Sequence, residues 1–246
     1  MIFAAGLGTR LRPLTDNMPK AMVPVAGKPM LQRVIENLKQ YGFNDIIINV
    51  HHFGEQIIDF VKENNNFGIN IAISDERGEL LDTGGGILKA EAFLDGDEPF
   101  LVHNADILTN LDLNDLYNFH INHKADATVL VAPRKTQRYL VFDSQDRLCG
   151  WTNLATGECR PADFDATAEG LSKLAFGGVH VISTSIFKAL REYTTEHKFS
   201  ITPFYVDTCR KLKIMGYQPA SHYDWFDIGK PETLALAEKF IKESAR

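Results

Sequence analysis

The chain has 246 residues, of which 44% are apolar and 24% charged, a balance that excludes an intrinsically disordered or low-complexity protein. Its 26 Lys and Arg against 32 Asp and Glu leave a net charge of −6, so no global field draws it to nucleic acid or to an anionic membrane. At this length a core can bury roughly three quarters of the unfolded surface without disulfide staples. The three cysteines, Cys149, Cys159 and Cys209, form no C-x-x-C pair, which argues against zinc and thioredoxin-like chemistry and for reduced thiols. No apolar run approaches the ~20 residues of a membrane span. The opening Met1-Ile2-Phe3-Ala4-Ala5-Gly6 lacks the length and basic flank of a signal peptide, so the expected location is cytoplasmic.

Taken in order, the first half alternates strand and helix patterns. Met1 to Ala5 is a short apolar run stopped by Gly6. Leu31, Val34, Ile35, Leu38 and Tyr41 have helical spacing, with Pro29 before them and Gly42 after. Ile46 to Val50 predicts a buried strand, Ile57 to Val61 a helix, Ile69 to Ile73 a strand, Gly86 to Phe93 a helix and Phe100 to His103 a strand. A helix from Leu113 and a strand over Ala127 to Ala132 continue the alternation. Such alternation implies crossover units, a parallel sheet and helices on both faces.

After about Pro133 the pattern changes. Tyr139 to Phe142 and Leu148 to Trp151 flank the polar Asp143-Ser144-Gln145-Asp146 and predict a hairpin. Asn153 to Lys173 reads as a long loop or lid. Leu174 to Ile182 predicts a strand returning to the main sheet, followed by helices at Ser185 to Tyr193, around Phe204 to Leu212, and at Pro231 to Ser244. The expected organisation is one domain, residues 1–246, with a small β-rich lobe inserted over about 133–182.

Chemistry concentrates at the start: Ala4-Ala5-Gly6-Leu7-Gly8-Thr9-Arg10-Leu11-Arg12-Pro13-Leu14-Thr15, then Pro19-Lys20 and Val23-Pro24-Val25-Ala26-Gly27-Lys28-Pro29. Glycines let backbone N–H groups approach a phosphate, and Arg10 and Lys20 add fixed positive charge. The P-loop is excluded because no Gly-Lys-Ser/Thr closes the segment. The dinucleotide fingerprint fails because its third glycine position is Leu11. His51 and His52 follow a predicted strand; adjacent residues there point to opposite faces, so strand-end packing is expected rather than a metal pair. Asp75-Glu76 reads as a solvated loop, with Glu76 or Arg77 able to reach a base.

The opening block resembles the signature of the sugar-1-phosphate nucleotidyltransferases. The resemblance recurs in family order at Leu81-Asp82-Thr83-Gly84-Gly85-Gly86, Asn104-Ala105-Asp106, Phe176-Gly177-Gly178-Val179-His180-Val181 and Trp225-Phe226-Asp227-Ile228-Gly229-Lys230-Pro231. It implies the nucleotide-diphospho-sugar transferase fold: a Rossmann-like mixed, mostly parallel α/β sheet with helices on both faces and a small β-rich inserted lobe. By the same resemblance, Ala4, Ala5, Gly6, Leu7, Gly8 and Thr9 line the nucleotide. Arg10 holds the β- and γ-phosphates, Lys20 stands near the α-phosphate, and Thr83, Gly84 and Gly85 contact the base. Asn104 and Gly178 fall to the sugar, while Asp106 and Asp227 hold Mg²⁺; Arg10, Lys20 and Asp106 are the catalytic set. The implied partners are an NTP and a sugar 1-phosphate, with no nucleic acid, no membrane, and a monomer or homodimer. UTP and N-acetylmuramic acid 1-phosphate, or a related amino-sugar phosphate, are the favoured pair. The alternatives are mannose 1-phosphate with GTP, a choline-phosphate-like acceptor with CTP, and a non-catalytic subunit that binds nucleotide sugar.

The chain departs from the family in three places. Ala105 stands where the family has glycine, which implies a slightly narrowed sugar site. The Glu-Lys-Pro element that usually follows the hairpin is replaced by Gly150-Trp151-Thr152-Asn153, leaving Lys173 or Lys230 as substitutes for its lysine. Relatives also carry a few more residues before the first apolar run, so the first strand is expected to be shorter than its neighbours.

Overall fold

A computed structural model describes residues 1–244. Contacts divide the chain into two compact units, each assembled from separated segments.

The first unit comprises Met1–Leu80, His103–Leu113 and the segment from Ser221 onward. Strand β1 (Ile2–Phe3) lies parallel to β4 (Asp45–Val50), which lies parallel to β5 (Asn70–Asp75). On its other side β1 pairs in parallel with His103 and Asn104, the last residues of β6 (Phe100–Asn104). Strands β2 (Pro24–Val25) and β3 (Lys28–Pro29) form a hairpin that leads into helix α1 (Met30–Gln40). The predicted stripe Leu31, Val34, Ile35 and Leu38 is the buried face of α1. Helix α2 (Gly54–Glu63) buries Ile57 and Val61 in the same way. The β-branched run Ile46–Val50 is buried throughout, as expected of a parallel strand covered on both faces. Strand β1 has two residues against six in β4 and six in β5.

The second unit comprises Leu81–Val102 and Asn114–Ala220. It includes the whole 133–182 stretch expected as an inserted lobe. It carries helices α3 (Asp82–Lys89) and α4 (Glu91–Leu94) and most of α5 (Leu113–His123). Its sheet is mixed. Strand β8 (Ala127–Ala132) is antiparallel to β12 (Ser172–Ile182) and parallel to β13 (Ile214–Tyr217). The predicted hairpin is present as β9 (Arg138–Phe142) and β10 (Leu148–Asn153), with β9 also pairing with β12. Helices α6 (Ile186–Tyr193) and α7 (Ile201–Thr208) complete it.

Most boundaries shift by a residue or two from the sequence reading, and three differences are larger. The helix expected over Gly86 to Phe93 is two helices: α3 begins four residues earlier, at Asp82, and ends at Lys89, and α4 follows at Glu91–Leu94. Helix α7 runs from Ile201 to Thr208 rather than on to Leu212, because Ile201, Phe204, Tyr205 and Val206 are its buried set and a turn follows, with Leu212 N–H donating to Thr208 O at 2.9 Å. The expected loop 153–173 contains a short strand, β11 (Cys159–Arg160), antiparallel to β10. Its Asp163 is held by both carboxylate oxygens at 2.8 Å from Arg210. No helix among the described residues is long and apolar enough to cross a membrane.

Candidate active site

In the first unit the chain leaves β1 at Ala4 and turns through Gly6–Thr9 into a single 3₁₀ turn at Thr9–Leu11. Leu11, 1% exposed, anchors the turn in the core, while Leu7 and Arg10 face solvent. Gly8 adopts a left-handed conformation, φ +67°, and a Cβ there would meet Thr15 Cγ2 at 3.0 Å and Lys20 Cβ at 3.1 Å. Both facts demand glycine. The Thr15 hydroxyl closes the loop by donating to Gly8 O at 2.8 Å.

Lys20 opens a second 3₁₀ turn, Lys20–Met22, pinned by buried Ala21 and Val23. Its ammonium donates to Asp106 Oδ2. Both side chains are mostly withdrawn from water, 13% and 21% exposed, so the attraction is screened less than at an open surface. Asp106 follows β6 and precedes β7 (Ile107–Thr109), which pairs antiparallel with β14 (Trp225–Asp227). That register sets Asp227 opposite Ile107, and Ile228 N–H donates to Asp106 O at 3.0 Å. The two carboxylates therefore leave adjacent strand ends.

Gly229 shows how tightly the charges converge. A Cβ on this residue would lie 2.7 Å from Asp227 Oδ1, 2.8 Å from Arg10 Nη2 and 3.0 Å from Lys20 Nζ. The Gly229 N–H itself donates to Asp227 Oδ1 at 2.8 Å. Two cations, Arg10 and Lys20, and the Asp227 carboxylate thus converge beside Gly229, and Asp106 joins them through its ion pair with Lys20. Gly229 lies within the Trp225–Pro231 segment, where the resemblance implies a role for Asp227 but none for the glycine. Its signal was the glycine inside Asp-Ile-Gly-Lys-Pro, two residues past the carboxylate.

Asn104 is the last residue of β6, in register with Phe3. Its carbonyl accepts from His103 Nδ1 at 2.8 Å. Burial holds the His103 imidazole near pKa 4, hence neutral. Ala105 is 3% exposed, so its methyl packs inside the protein, and its N–H donates to Phe3 O at 3.0 Å. His51 is a strand-end residue, as expected, its Nδ1 donating to Glu76 O at 2.6 Å. Among the described residues no group of three or more His, Cys, Asp or Glu could hold a metal. The expectation of a solvated loop at Asp75-Glu76, with Glu76 able to reach a base, is corrected. Glu76 is 1% exposed and accepts from Asn49 Nδ2 at 2.8 Å. Arg77 is engaged with Asp75, at 2.6 Å, and with Glu55.

The remaining candidates belong to the second unit. Thr83, Gly84 and Gly85 lie inside α3. A Cβ on Gly84 would collide with the Phe199 ring and one on Gly85 with His197 O, so this glycine pair lets the segment before α7 pack against the helix. Gly84 and Gly85 N–H both donate to Phe199 O, at 2.8 and 3.2 Å, and Thr83 Oγ1 accepts from Ile201 N–H at 2.9 Å. Gly178, φ +74°, sits where the β12–β8 register shifts between Phe176 and His180; only glycine tolerates that bulge without strain. Lys173 lies on β12 opposite Val141. Lys230 follows Gly229 in the first unit, just ahead of the C-terminal helix α8 (Pro231–Ser244). The second unit also holds a cavity of about 480 Å³, lined in part by Arg138, Trp151, Asn153, Arg160, Ser200 and Thr202. The Arg160 guanidinium lies 5.6 Å from the centre of the Trp151 ring and is held by Glu158 at 2.8 Å. Sequence reasoning missed both arginines, because neither stands in a motif.

The nucleotidyl transferase family profile matches residues 1–244. The chain belongs to the nucleotidyl transferase family. It is 38% identical over 192 residues to an N-acetylmuramate alpha-1-phosphate uridylyltransferase of Neisseria meningitidis, covering 71% of this chain and 81% of the relative. Over 259 residues it is 30% identical to the enzyme of the same description from Caulobacter vibrioides, covering 99% and 97%. Its fold superposes on a solved UDP-glucose pyrophosphorylase with a TM-score of 0.75 at 20% identity, covering 99% and 97% of the two chains. The fold class expected from the motifs is therefore the one observed, and sugar-1-phosphate nucleotidyl transfer is the activity these findings support.

Proposed function

We propose that the protein transfers uridylyl from UTP to N-acetylmuramic acid 1-phosphate or a related amino-sugar 1-phosphate, in a Mg²⁺-dependent reaction. The convergence of Arg10, Lys20 and Asp227 at Gly229, with Asp106 paired to Lys20, carries the reading, because the reaction drives one anion against another. An oxygen of the acceptor phosphate forms a bond to the α-phosphorus, and the bond from that phosphorus to the bridging oxygen of the β-phosphate breaks. Pyrophosphate leaves with the electron pair. The attacking phosphate is already ionised, so no general base is needed; positioning and neutralisation are the work to be done.

Each residue has a share in that work. Backbone N–H groups of the loop past Ala4, over Ala5–Thr9, face the nucleotide phosphates. Arg10 draws negative charge toward the departing pyrophosphate, and Lys20 neutralises the α-phosphate as its coordination changes. Asp106 and Asp227 offer an all-oxygen donor pair at adjacent strand ends, which suits Mg²⁺, an ion commonly held by one or two carboxylates with waters and substrate phosphates. When bound, the ion would offset charge on the phosphates. Within the second unit, the 480 Å³ cavity has the size and the mixed aromatic and hydrogen-bonding lining of a pyranose site.

The choice of uridylyl and of an amino sugar rests on the two N-acetylmuramate relatives. A mannose-1-phosphate guanyltransferase of Gibberella zeae is 41% identical over 238 residues, covering 94% of this chain and 61% of the relative, and makes GTP with mannose 1-phosphate the second reading. The test is a pyrophosphate-release assay with Mg²⁺, crossing the nucleoside triphosphates against muramic, glucosamine, glucose and mannose 1-phosphates. Release with UTP and the muramic derivative is expected. Release only with GTP and mannose 1-phosphate replaces the substrate pair, and no release with any pair overturns the reading.

A further inference from the structure

Glu76 is a carboxylate almost without solvent, 1% exposed, beside an equally buried amide, Asn49, at 3%. Burying such groups is costly unless their hydrogen bonds are made, and here they form a chain with a direction. Asn49 Nδ2 donates to Glu76 Oε1 at 2.8 Å, and Asn49 Oδ1 accepts from Ala4 N–H, also at 2.8 Å. Ala4 is the first residue past β1 and the root of the Ala4–Thr9 loop. The chain thus joins the end of β5 to the end of β4 and then to the loop.

An asparagine amide has a donor end and an acceptor end that can exchange by a half-turn. A carboxylate only accepts, so Glu76 selects the orientation in which the amide oxygen faces Ala4. In the opposite orientation two donors, Asn49 Nδ2 and Ala4 N–H, would confront each other in a buried place. Glu76 is itself pinned at its backbone, its N–H donating to Val50 O at 2.8 Å and its carbonyl accepting from His51 Nδ1 at 2.6 Å.

We propose that Glu76 is a positioning residue: through Asn49 its carboxylate fixes the Ala4 N–H and so sets the start of the nucleotide loop. The inference rests on the reading of Ala4–Thr9 as that loop. It goes beyond the motifs quoted above, none of which contains Asn49 or Glu76.

The test uses Glu76→Ala, Glu76→Gln and wild type. Amide hydrogen exchange is followed by NMR at Ala4 and along β4, and Mg-UTP and Mg-GTP binding by calorimetry. Glu76→Ala is expected to speed exchange at Ala4 at least tenfold while the β4 amides stay within about twofold, and to weaken the preferred nucleotide about tenfold. Glu76→Gln keeps an acceptor for Asn49 Nδ2 and is expected to stay within threefold of wild type in both measurements. Equal acceleration across β4 and Ala4 would reduce Glu76 to a general stabiliser and overturn the proposal. So would Ala4 exchange or nucleotide affinity unchanged in Glu76→Ala. If wild type binds neither nucleotide, the loop reading itself falls; Ala4 exchange needs no ligand and separates that failure from a failure of the hydrogen-bond chain.

Discussion

Replacing Gly229 by alanine probes the centre of the candidate site with one carbon atom. The new methyl would sit 2.7 Å from Asp227 Oδ1, 2.8 Å from Arg10 Nη2 and 3.0 Å from Lys20 Nζ. Ordinary carbon contacts to such atoms begin near 3.4 Å, so each charged group must retreat by several tenths of an ångström. Gly229 is not among the left-handed glycines, so its backbone accepts alanine. Arg10 and Lys20 offer only the ends of flexible side chains, which can swing aside without unfolding the protein. The strain therefore falls on the geometry of the charges. Displacements approaching 1 Å among positioned groups cost about 10²-fold in rate, equivalent to about 2.7 kcal/mol of transition-state stabilisation. The expected result is kcat/KM lowered about a hundredfold with the substrate pair that wild type prefers, measured by continuous pyrophosphate release, and a melting temperature within about 3 °C of wild type. A variant within threefold of wild-type kcat/KM would show that the convergence around Gly229 is not the reacting geometry.

Three further outcomes follow from the same structure. Asp106→Asn removes the charge partner of Lys20 and one of the two candidate metal ligands; kcat should fall at least about 10²-fold and Mg²⁺ affinity by calorimetry should drop, and a rate within tenfold of wild type would take Asp106 out of the site. Gly85→Ala drives a methyl into His197 O and should destabilise the protein by roughly 2 kcal/mol, seen as a melting temperature lower by about 4–8 °C, whereas an unchanged melting temperature would refute the packing argument. Burial lowers the His120 pKa from its usual 6.5 to about 4. Between those values the unfolded chain binds the extra proton and the folded one does not, so this residue's contribution is complete above pH 6.5 and is lost progressively toward pH 4. The urea midpoint should therefore fall on acidification from pH 7 to 4.5, by an amount equivalent to roughly 2 kcal/mol from this group; a His120→Gln variant should show a shallower fall, and identical slopes would dismiss the histidine as a cause.

What the sequence disclosed, and what it did not, divides by the range of the interactions. Strand β8 and helix α8 match their predicted bounds because a continuous apolar run, and a proline followed by a long helical pattern, are local signals. Lys20 and Asp106, which the family resemblance assigns to one site, lie 86 residues apart in sequence and form an ion pair. The start of α3 was misplaced because Gly84 and Gly85 look like helix breakers when read alone. Their reason for being in a helix is Phe199 and His197, more than a hundred residues away. Arg138 and Arg160 were passed over for the same reason: what makes them notable is a cavity wall that joins β9, β10, β11 and the start of α7.

Asn49 and Glu76 make the point most sharply. By composition, Glu76 beside Asp75 reads as one more solvated acid, and Asn49 as an odd polar residue in an apolar strand. The β4–β5 register, with Val50 opposite Asp75, carries Glu76 one residue past the paired ends and close enough to meet Asn49. The β1–β4 register, with Phe3 opposite Asn49, brings the same amide to Ala4. Neither contact has a sequence signature, since 45 residues separate Ala4 from Asn49 and 27 separate Asn49 from Glu76. The buried polar pair is intelligible only once three parallel strands stand side by side. Its place at the foot of the glycine loop also gives it a reason to exist: an apolar pair could fill that space, but it would offer the Ala4 N–H no acceptor.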